Sequence, residues 1–378
     1  MIYLDSAATT PIEPDVAKEM YTFITTEYGN PSAKYYSLAE NAKSALNIAR
    51  DRIASLITCD SDELIFTSCA SESNNFIIKG IADTLQDKGK HIITSTIEHK
   101  SVLETCKYLE SKGYEVTYLK VDTLGRINVE ELKNEIRKDT ILVSIMWGNN
   151  EIGTLNDIEI ISDICNVRNV LFHTDATQVL GKIKIDTKKL KVDFMSFSAH
   201  KIYGPKGIGA CFIKNDEYGL KPELTPLIHG GGQEFGLRSG THSMHNIVGF
   251  GKACDIARKT MAKYIPEILY LEEYLKTALL KNFPKIKFNG DQKNKIPGIL
   301  SLSLEGLNNE LFIKMVKDEI AISTGSACSL GRPSYVLKEI GSGDLTKNTI
   351  RVSLNKFSDK NCTLLVNRIA KYLNKFSI

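Results

Sequence analysis

The sequence predicts an α/β fold in which helices cover both faces of a mainly parallel sheet. Between residues 63 and 214, short apolar runs alternate with helical patterns, as they do in folds of this class. The runs are continuously apolar, which is expected of strands that are buried on both faces. The predicted strands are 64–66, 92–93, 116–119, 141–146, 170–172, 194–197 and 210–213.

The C-terminal third has a different pattern and predicts a smaller α+β domain. A chain of 378 residues is long enough for two packed units. We assign 15–258 to the large domain, and 1–14 together with 259–378 to the small domain. A helical stretch at about 252–280 is expected to cross the boundary. The small domain's predicted strands are 286–288, 299–304, 320–323 and 349–354, and its predicted helices are 310–317 and 359–376.

Composition excludes several classes of protein. Apolar residues make up 42% and charged residues 25% of the chain, which are ordinary globular values. The 48 Lys and Arg face 45 Asp and Glu without a basic block, so no direct nucleic-acid binding is expected. No signal peptide and no apolar run of about 18 residues are found, which predicts a cytoplasmic protein without membrane contact. The 8 cysteines form no C-x-x-C pair, so no metal site is expected.

Lys201 is the first candidate functional residue. It follows the predicted strand 194–197, and ligands in open α/β sheets bind at the carboxyl ends of strands. A desolvated lysine loses its charge and can form a Schiff base with an aldehyde cofactor. Taken alone, a lysine before a Gly-rich turn is more often a solvated surface residue, so the pattern leaves both interpretations open.

Asp175 follows a neighbouring predicted strand and favours the cofactor interpretation. A carboxylate at this place can keep a pyridine nitrogen protonated, so that the ring accepts electrons. Its simple alternative is a helix N-cap after a strand. Two suitable groups at two neighbouring strand ends make a shared site more probable than either group does alone.

Three further segments supply candidate ligands. Segment 145–153 ends in amides that can bind a cofactor oxygen or a substrate carboxylate, although asparagines before glycine are also common turn formers. Segment 66–75 leads from a strand into a helix and offers N–H groups and hydroxyls to a phosphate. His99 follows the predicted strand 92–93, where it can stack on a ring and move protons, although a lone histidine is usually structural.

Six motifs spread over nearly the whole chain occur together, at 3–10, 28–32, 149–153, 175–178, 200–207 and 238–241. In this order they resemble the cysteine desulfurases of the NifS/IscS type. The resemblance implies the class V aminotransferase group of fold-type I pyridoxal 5′-phosphate (PLP) enzymes, with a seven-stranded, mainly parallel sheet in the large domain. It also implies a homodimer with active sites at the subunit interface.

The resemblance implies specific contacts with PLP. Lys201 would bind the cofactor covalently and remove the substrate's α-proton. Asp175 would lie at the pyridine nitrogen, Gln178 at the ring hydroxyl, and His99 would stack on the ring and adjust the protonation of the reacting thiols. The phosphate would be held by Ala70, Ser71, Ser198, His200 and the partner subunit's Thr241.

The resemblance also assigns the substrate contacts and the nucleophile. Asn150 would lie beside cofactor and substrate, and Arg351 would bind the substrate carboxylate with its bidentate guanidinium. Cys328 lies in 323–337, which is similar to the family's catalytic loop, and its Gly and Ser neighbours suit a loop that moves. The implied reaction converts L-cysteine to L-alanine and leaves a persulfide on Cys328 for a sulfur-acceptor protein. A buried structural thiol is the simple alternative for Cys328.

Some positions depart from the family pattern. Trp147, Gly148 and Phe235 replace the more usual residues, and Ser71 stands where threonine is common. Only Ser329 to Arg332 separate Cys328 from Pro333, a shorter loop than in housekeeping members. A shorter loop reaches less far, so iron–sulfur assembly, tRNA thiolation and DNA phosphorothioate modification all remain as destinations of the sulfur.

Two other functional classes compete with the desulfurase interpretation. A selenocysteine lyase, or a carbon–carbon lyase of the same fold, would share Lys201 and Asp175. A non-catalytic sulfur-relay or nucleic-acid-modification adaptor could have kept the fold alone, although the joint presence of Lys201, Asp175, His99 and Cys328 argues against lost catalysis.

Overall fold

A computed structural model describes residues 1–325 and 333–376 of the chain. Within these ranges the strands are β1 (Ile2–Tyr3), β2 (Leu64–Thr67), β3 (His91–Ser95), β4 (Glu115–Leu119), β5 (Thr140–Ser144), β6 (Leu171–Asp175), β7 (Phe194–Ser198), β8 (Gly209–Ile213), β9 (Lys287–Asn289), β10 (Ile299–Ser303), β11 (Ile320–Ala321) and β12 (Thr349–Ser353).

The α-helices of the same ranges are α1 (Pro14–Thr25), α2 (Ser37–Ile57), α3 (Ala70–Thr84), α4 (Lys100–Glu110), α5 (Val129–Glu135), α6 (Ile158–Val167), α7 (Met244–Asn282), α8 (Asn309–Val316), α9 (Tyr335–Glu339) and α10 (Leu364–Phe376). None of these helices is long and apolar enough to cross a membrane.

Seven strands form the main sheet, in the order β2-β8-β7-β6-β5-β3-β4. The five strands from β7 to β4 are parallel to their neighbours, whereas β8 runs antiparallel to both β7 and β2. Each predicted strand between residues 63 and 214 corresponds to one strand of this sheet. The predicted α/β class with a mainly parallel seven-stranded sheet is therefore confirmed.

Helices cover the main sheet on both faces. One apolar core joins the sheet to α2, α5, α6 and the first half of α7 through residues such as Ile53, Leu132 and Phe250. A second core on the opposite face joins it to α3 and α4 through Phe76 and Val102. Burial on both faces explains why the strands read as uninterrupted apolar runs.

Strand β6 extends three residues beyond the apolar run that predicted it. His173, which follows that run, is fully buried, and its two ring nitrogens lie 2.8 Å from Ser144 Oγ and 3.0 Å from Ser196 Oγ. Burial lowers the pKa of His173 and keeps the ring neutral. Because its polar atoms are satisfied by neighbouring strands, the ladder continues to Asp175 and carries that carboxylate to the sheet edge.

The C-terminal residues build a second, smaller unit. Strands β12, β10 and β9 form an antiparallel sheet that shares a separate apolar core with α8, α10 and the second half of α7. Strand β1 pairs with β11, so the first residues of the chain join this unit. The predicted strand 320–323 is shorter, and the helix predicted from 359 begins at Leu364 after a short 3₁₀ turn. The division at 258/259 falls inside α7 and stays a prediction.

Candidate active site

The carboxyl ends of the main-sheet strands border a cavity of about 270 Å³. Its walls come from the N-terminal segment, the start of α3, the connections after β3 and β5, the ends of β6 and β7, and strand β12. This is the position at which open α/β sheets bind ligands. The cavity brings together ten of the predicted site residues: Ala70, Ser71, His99, Asn150, Asp175, Gln178, Ser198, His200, Lys201 and Arg351.

Lys201 ends a short 3₁₀ turn that continues directly from β7. Its Nζ donates to Ala7 O at 2.5 Å and to Ala8 O at 2.7 Å, so the N-terminal segment lies against the amine. Gln178 Nε2 donates to the same Ala7 O at 3.0 Å, and Gln178 Oε1 accepts from Lys182 Nζ at 3.2 Å. Burial, with Lys201 and Arg351 nearby, lowers the pKa of Lys182 to about 7.

Asp175 ends β6 with its side chain in the cavity, and only 6% of the residue is exposed. One carboxylate oxygen accepts from Thr177 N at 3.0 Å, and the other accepts from Asn74 Nδ2 at 2.8 Å. The carboxylate therefore has fixed partners on both oxygens before any ligand is present.

His99 caps the N-terminus of α4 with its side chain. Its Nδ1 accepts from the Ser101 backbone N at 3.1 Å and lies 2.8 Å from Ser101 Oγ. A ring nitrogen that accepts a backbone N–H carries no proton, so in the neutral ring the proton is on Nε2. His99 consequently lines the cavity with a fixed tautomer.

The start of α3 and the end of β7 form a cradle for an anion. Helix α3 begins at Ala70 without a side-chain cap, which leaves its first N–H groups for a ligand. Ser198 Oγ is buried and has no hydrogen-bond partner among the described residues. Burial, followed by the charge of Lys201, lowers the pKa of His200 to about 4, so this ring is neutral at pH 7.

Gly209 allows the two parts of this cradle to pack closely together. A Cβ on this residue would lie 2.8 Å from Cys69 Cα and 2.5 Å from Phe197 O, which are impossibly short contacts. Because β8 has no side chain at its first residue, the turn that leads into α3 lies directly against the sheet.

Arg351 reaches the cavity from β12 and is 1% exposed. One terminal nitrogen donates to Asn150 O and to Gly325 O, both at 2.9 Å, and the other donates to Asp5 Oδ1 at 2.8 Å. The remaining Nε–H is buried without a partner among the described residues. Three of the five guanidinium N–H groups thus hold the side chain in place, which leaves the Nε–H and one terminal N–H for a further acceptor.

Comparison with known proteins agrees with this geometry. Residues 2–361 match the model of the aminotransferase class-V family. The cysteine desulfurase IscS of Buchnera aphidicola is 48% identical over 364 residues, covering 95% of this chain and 89% of the relative. The chain belongs to the class-V aminotransferase family, in its branch of NifS/IscS-type cysteine desulfurases.

Solved structures of class-V relatives superpose on nearly the entire chain. A NifS-like protein is 35% identical, with a TM-score of 0.88 and coverage of 99% of this chain and 98% of its own. SspA in complex with cysteine is 36% identical, with a TM-score of 0.83 and coverage of 95% and 100%. Enzymes of the class-V aminotransferase family use PLP, and the resemblance inferred from the sequence motifs is confirmed.

Two of the predicted site residues, Thr241 and Cys328, stay predictions for different reasons. Thr241 is exposed and lies in the segment before α7. Its predicted contribution to the phosphate site of a partner subunit stays a prediction. Cys328 lies outside the described residues, so its predicted role as the nucleophile also stays a prediction.

Sequence reasoning missed two buried carboxylates beside the cavity. Glu98 Oε1 accepts from Ser95 Oγ at 2.7 Å and from Met146 N at 2.8 Å, and burial raises its pKa to about 8. Glu151 Oε2 accepts from Ser334 Oγ at 2.6 Å, and burial likewise raises the pKa of Glu151. In the sequence both are ordinary acidic residues, and only their burial in the structure distinguishes them from surface acids.

Proposed function

We propose that this protein is a PLP-dependent cysteine desulfurase that releases L-alanine from L-cysteine and retains the sulfur on Cys328. One observation carries the proposal: Lys201 from the turn after β7, Asp175 from β6 and Arg351 from β12 line the same cavity. An amine, a carboxylate and a guanidinium in one place match the needs of an aldehyde cofactor, its ring nitrogen and an amino-acid carboxylate. The desulfurase relatives name the substrate class.

The cavity fits PLP on the evidence of its own donors and acceptors. The uncapped start of α3 and the unpartnered hydroxyl of Ser198 suit a phosphate, and neutral His200 can donate to it. Asp175 would hold the ring nitrogen, Gln178 the ring hydroxyl, and Lys201 the aldehyde carbon. When bound, PLP withdraws electrons from the substrate's α-carbon.

The residues of the chain would position L-cysteine and move its protons. Arg351 would bind the carboxylate with its fixed guanidinium, next to the backbone of Asn150. Lys201 Nζ would take the α-proton of the substrate. The Nε2–H of His99 would supply or receive a proton at the substrate thiol.

The proposed sulfur transfer conserves atoms and electrons without any other reactant. The substrate's carbon–sulfur bond breaks and a sulfur–sulfur bond to Cys328 Sγ forms, so L-cysteine and the Cys328 thiol give L-alanine and a Cys328 persulfide. The β-carbon gains the proton that completes the methyl group of alanine. A thiolate is the reactive form of Cys328 in this step.

We extend the proposal to the assembly and the destination of the sulfur. A homodimer would allow the exposed Thr241 to reach the phosphate of the partner's site, as the family resemblance implies. The Cys328 persulfide would pass to an acceptor protein in iron–sulfur assembly, tRNA thiolation or DNA phosphorothioate modification.

Cys328→Ser tests the proposal directly. The purified enzyme is incubated with PLP, L-cysteine and a thiol, and alanine and sulfide are measured together with the intact mass of the protein. We expect wild-type enzyme to form alanine and to gain one sulfur on Cys328, whereas Cys328→Ser keeps the visible absorbance of bound PLP and forms no alanine.

Cys59→Ser is the matched control because Cys59 is a partly exposed thiol that does not line the cavity. This variant should form alanine at the wild-type rate. Normal alanine production by Cys328→Ser would show that Cys328 is not the nucleophile. A wild-type protein that stays colourless with PLP would favour a non-catalytic adaptor.

A further inference from the structure

We propose that Ser101 is a positioning residue that connects Asp175 to His99 and fixes which nitrogen of His99 carries the proton. This inference deepens the proposed desulfurase function and rests on it. Ser101 follows His99 by two residues and lines the same cavity, but no sequence motif distinguishes it. Hydrogen bonds connect Asp175, Asn74, Ser101 and His99 in this order, and the donor and acceptor of each bond can be assigned.

The first group to assign in this series of hydrogen bonds is the fully buried amide of Asn74. Its Nδ2 lies 2.8 Å from Asp175 Oδ2 and 2.8 Å from Ser101 Oγ. The opposite orientation of the amide would place an acceptor oxygen against the Asp175 carboxylate, which repels it. The NH₂ group therefore faces both partners and uses both of its hydrogens on them.

The direction of the remaining bonds follows from this assignment. Ser101 Oγ accepts from Asn74, and so its own hydrogen is available to His99 Nδ1, 2.8 Å away. The Ser101 backbone N–H also donates to His99 Nδ1, at 3.1 Å. Two donors on Nδ1 leave only Nε2 for the ring proton.

This arrangement gives His99 a defined task. Its Nε2 enters the cavity as an N–H donor, and Nδ1 can take a proton only if Ser101 gives up its donation. The negative charge of Asp175 orients Asn74, which orients Ser101, so the groups predicted at the ring nitrogen and on the ring face are held by one network. The orientation of Asn74 rests on its two Nδ2 contacts alone, because its buried Oδ1 has no hydrogen-bond partner among the described residues.

Ser101→Ala tests the assignment on ring nitrogens, without relying on activity. Protein labelled with ¹⁵N-histidine is studied by NMR with and without PLP, and His99→Gln identifies the His99 signals among the 7 histidines. In the wild type we expect a proton on Nε2 and none on Nδ1. In Ser101→Ala, Nδ1 keeps only the backbone N–H as a donor, so the proton should stay on Nε2 and the Nδ1 signal should move further from the protonated position.

Two matched variants distinguish the loss of the Ser101 hydroxyl from a general change in helix α4. Ser101→Thr keeps a hydroxyl and should restore the wild-type ring signals. Ser111→Ala makes the same chemical change at the end of α4, where the hydroxyl donates only to Tyr108 O, and should leave the ring signals unchanged. The kcat of Ser101→Ala for alanine formation should fall about fivefold, the usual effect of losing one neutral hydrogen bond.

The outcomes distinguish this inference from the proposed function. Unchanged His99 signals in Ser101→Ala, or a wild-type proton on Nδ1, would overturn the role of Ser101 while leaving the desulfurase proposal intact. Wild-type enzyme that binds PLP but forms no alanine would contradict the desulfurase proposal, and the NMR result would still stand on its own.

Discussion

Asp175 and Arg351 are two buried, oppositely charged residues that line one cavity. They differ in how completely their hydrogen-bonding groups are satisfied by the protein. Asp175 accepts one hydrogen bond on each oxygen, from Thr177 in the turn after β6 and from Asn74 in α3. Arg351 comes from the small sheet, shares its charge with Asp5 and keeps a buried N–H without a partner among the described residues. The carboxylate is thus completed by the chain, whereas the guanidinium is held but left with unused capacity.

This difference agrees with the proposed roles, in which Asp175 holds the cofactor and Arg351 binds the substrate. A group that holds a resident cofactor gains from partners that fix it permanently, because preorganised charges cost no rearrangement during the reaction. A group that binds a substrate in each turnover needs a donor that becomes satisfied only when the substrate arrives. An unsatisfied buried donor costs free energy in the empty state, and the substrate carboxylate would recover it.

The largest expected effect comes from Lys201→Ala, which removes the amine that both charges are proposed to serve. Without it, the cofactor has no covalent bond and the α-proton has no acceptor, so alanine formation should fall by at least about 1,000-fold. Borohydride reduction followed by peptide mass spectrometry should label Lys201 in the wild type and nothing in the variant. Lys206→Ala, an exposed lysine of the same motif, is the control and should retain label and activity.

Arg351→Lys sharpens the comparison with a smaller effect. Lysine keeps the charge but loses the planar fork that holds a carboxylate at two points. We expect the KM for L-cysteine to rise about ten- to a hundredfold while PLP binding is unchanged. Steady-state alanine assays measure the effect, and Arg368→Lys, in a surface ion pair with Glu319, should behave as wild type. A fall in PLP affinity instead would place Arg351 on the cofactor side.

Glu98→Gln should have the smallest effect on the reaction, and its main effect concerns stability. Burial raises the pKa of Glu98 from about 4.3 to about 8, so the folded state prefers the protonated acid. Stability linked to this group is full below about pH 4 and is lost as pH rises toward 8. Between about pH 5 and pH 8 the wild type should lose roughly 3–4 kcal/mol more of its unfolding free energy than the variant.

Urea titrations at several pH values measure this difference for Glu98→Gln. Glu104→Gln, on the exposed face of α4, is the matched control and should follow the wild-type curve. Parallel pH profiles for wild type and Glu98→Gln would mean that Glu98 ionises as freely as a surface carboxylate.

Most of the main sheet could be predicted because its strands are buried on both faces and their apolar runs are unbroken. The end of β6 could not, because His173 is polar and its burial depends on Ser144 and Ser196 of neighbouring strands. Apolarity alone therefore stops the strand too early, although it still places Asp175 at the correct edge. The shortened β11 and the late start of α10 show the same limit at element ends.

The candidate site was predictable where strand ends or family motifs identify residues, as for Lys201 and Asp175. The supporting residues Asn74, Ser101 and Asp5 were not predicted, because each acts through a contact that is distant in the sequence. Asp5 meets a guanidinium 346 residues away, and Asn74 meets a carboxylate 101 residues away. Local sequence patterns carry no information about such pairs.

The position of the N-terminal segment has a consequence for synthesis of the protein on the ribosome. Ala7 accepts from Lys201, and Asp5 pairs with Arg351, while β1 joins β11. Ala7 and Asp5 are therefore translated more than 190 and 340 residues before their partners. Because long-range contacts form slowly, the large sheet can fold during translation, but the reaction centre is completed only after Arg351 has emerged.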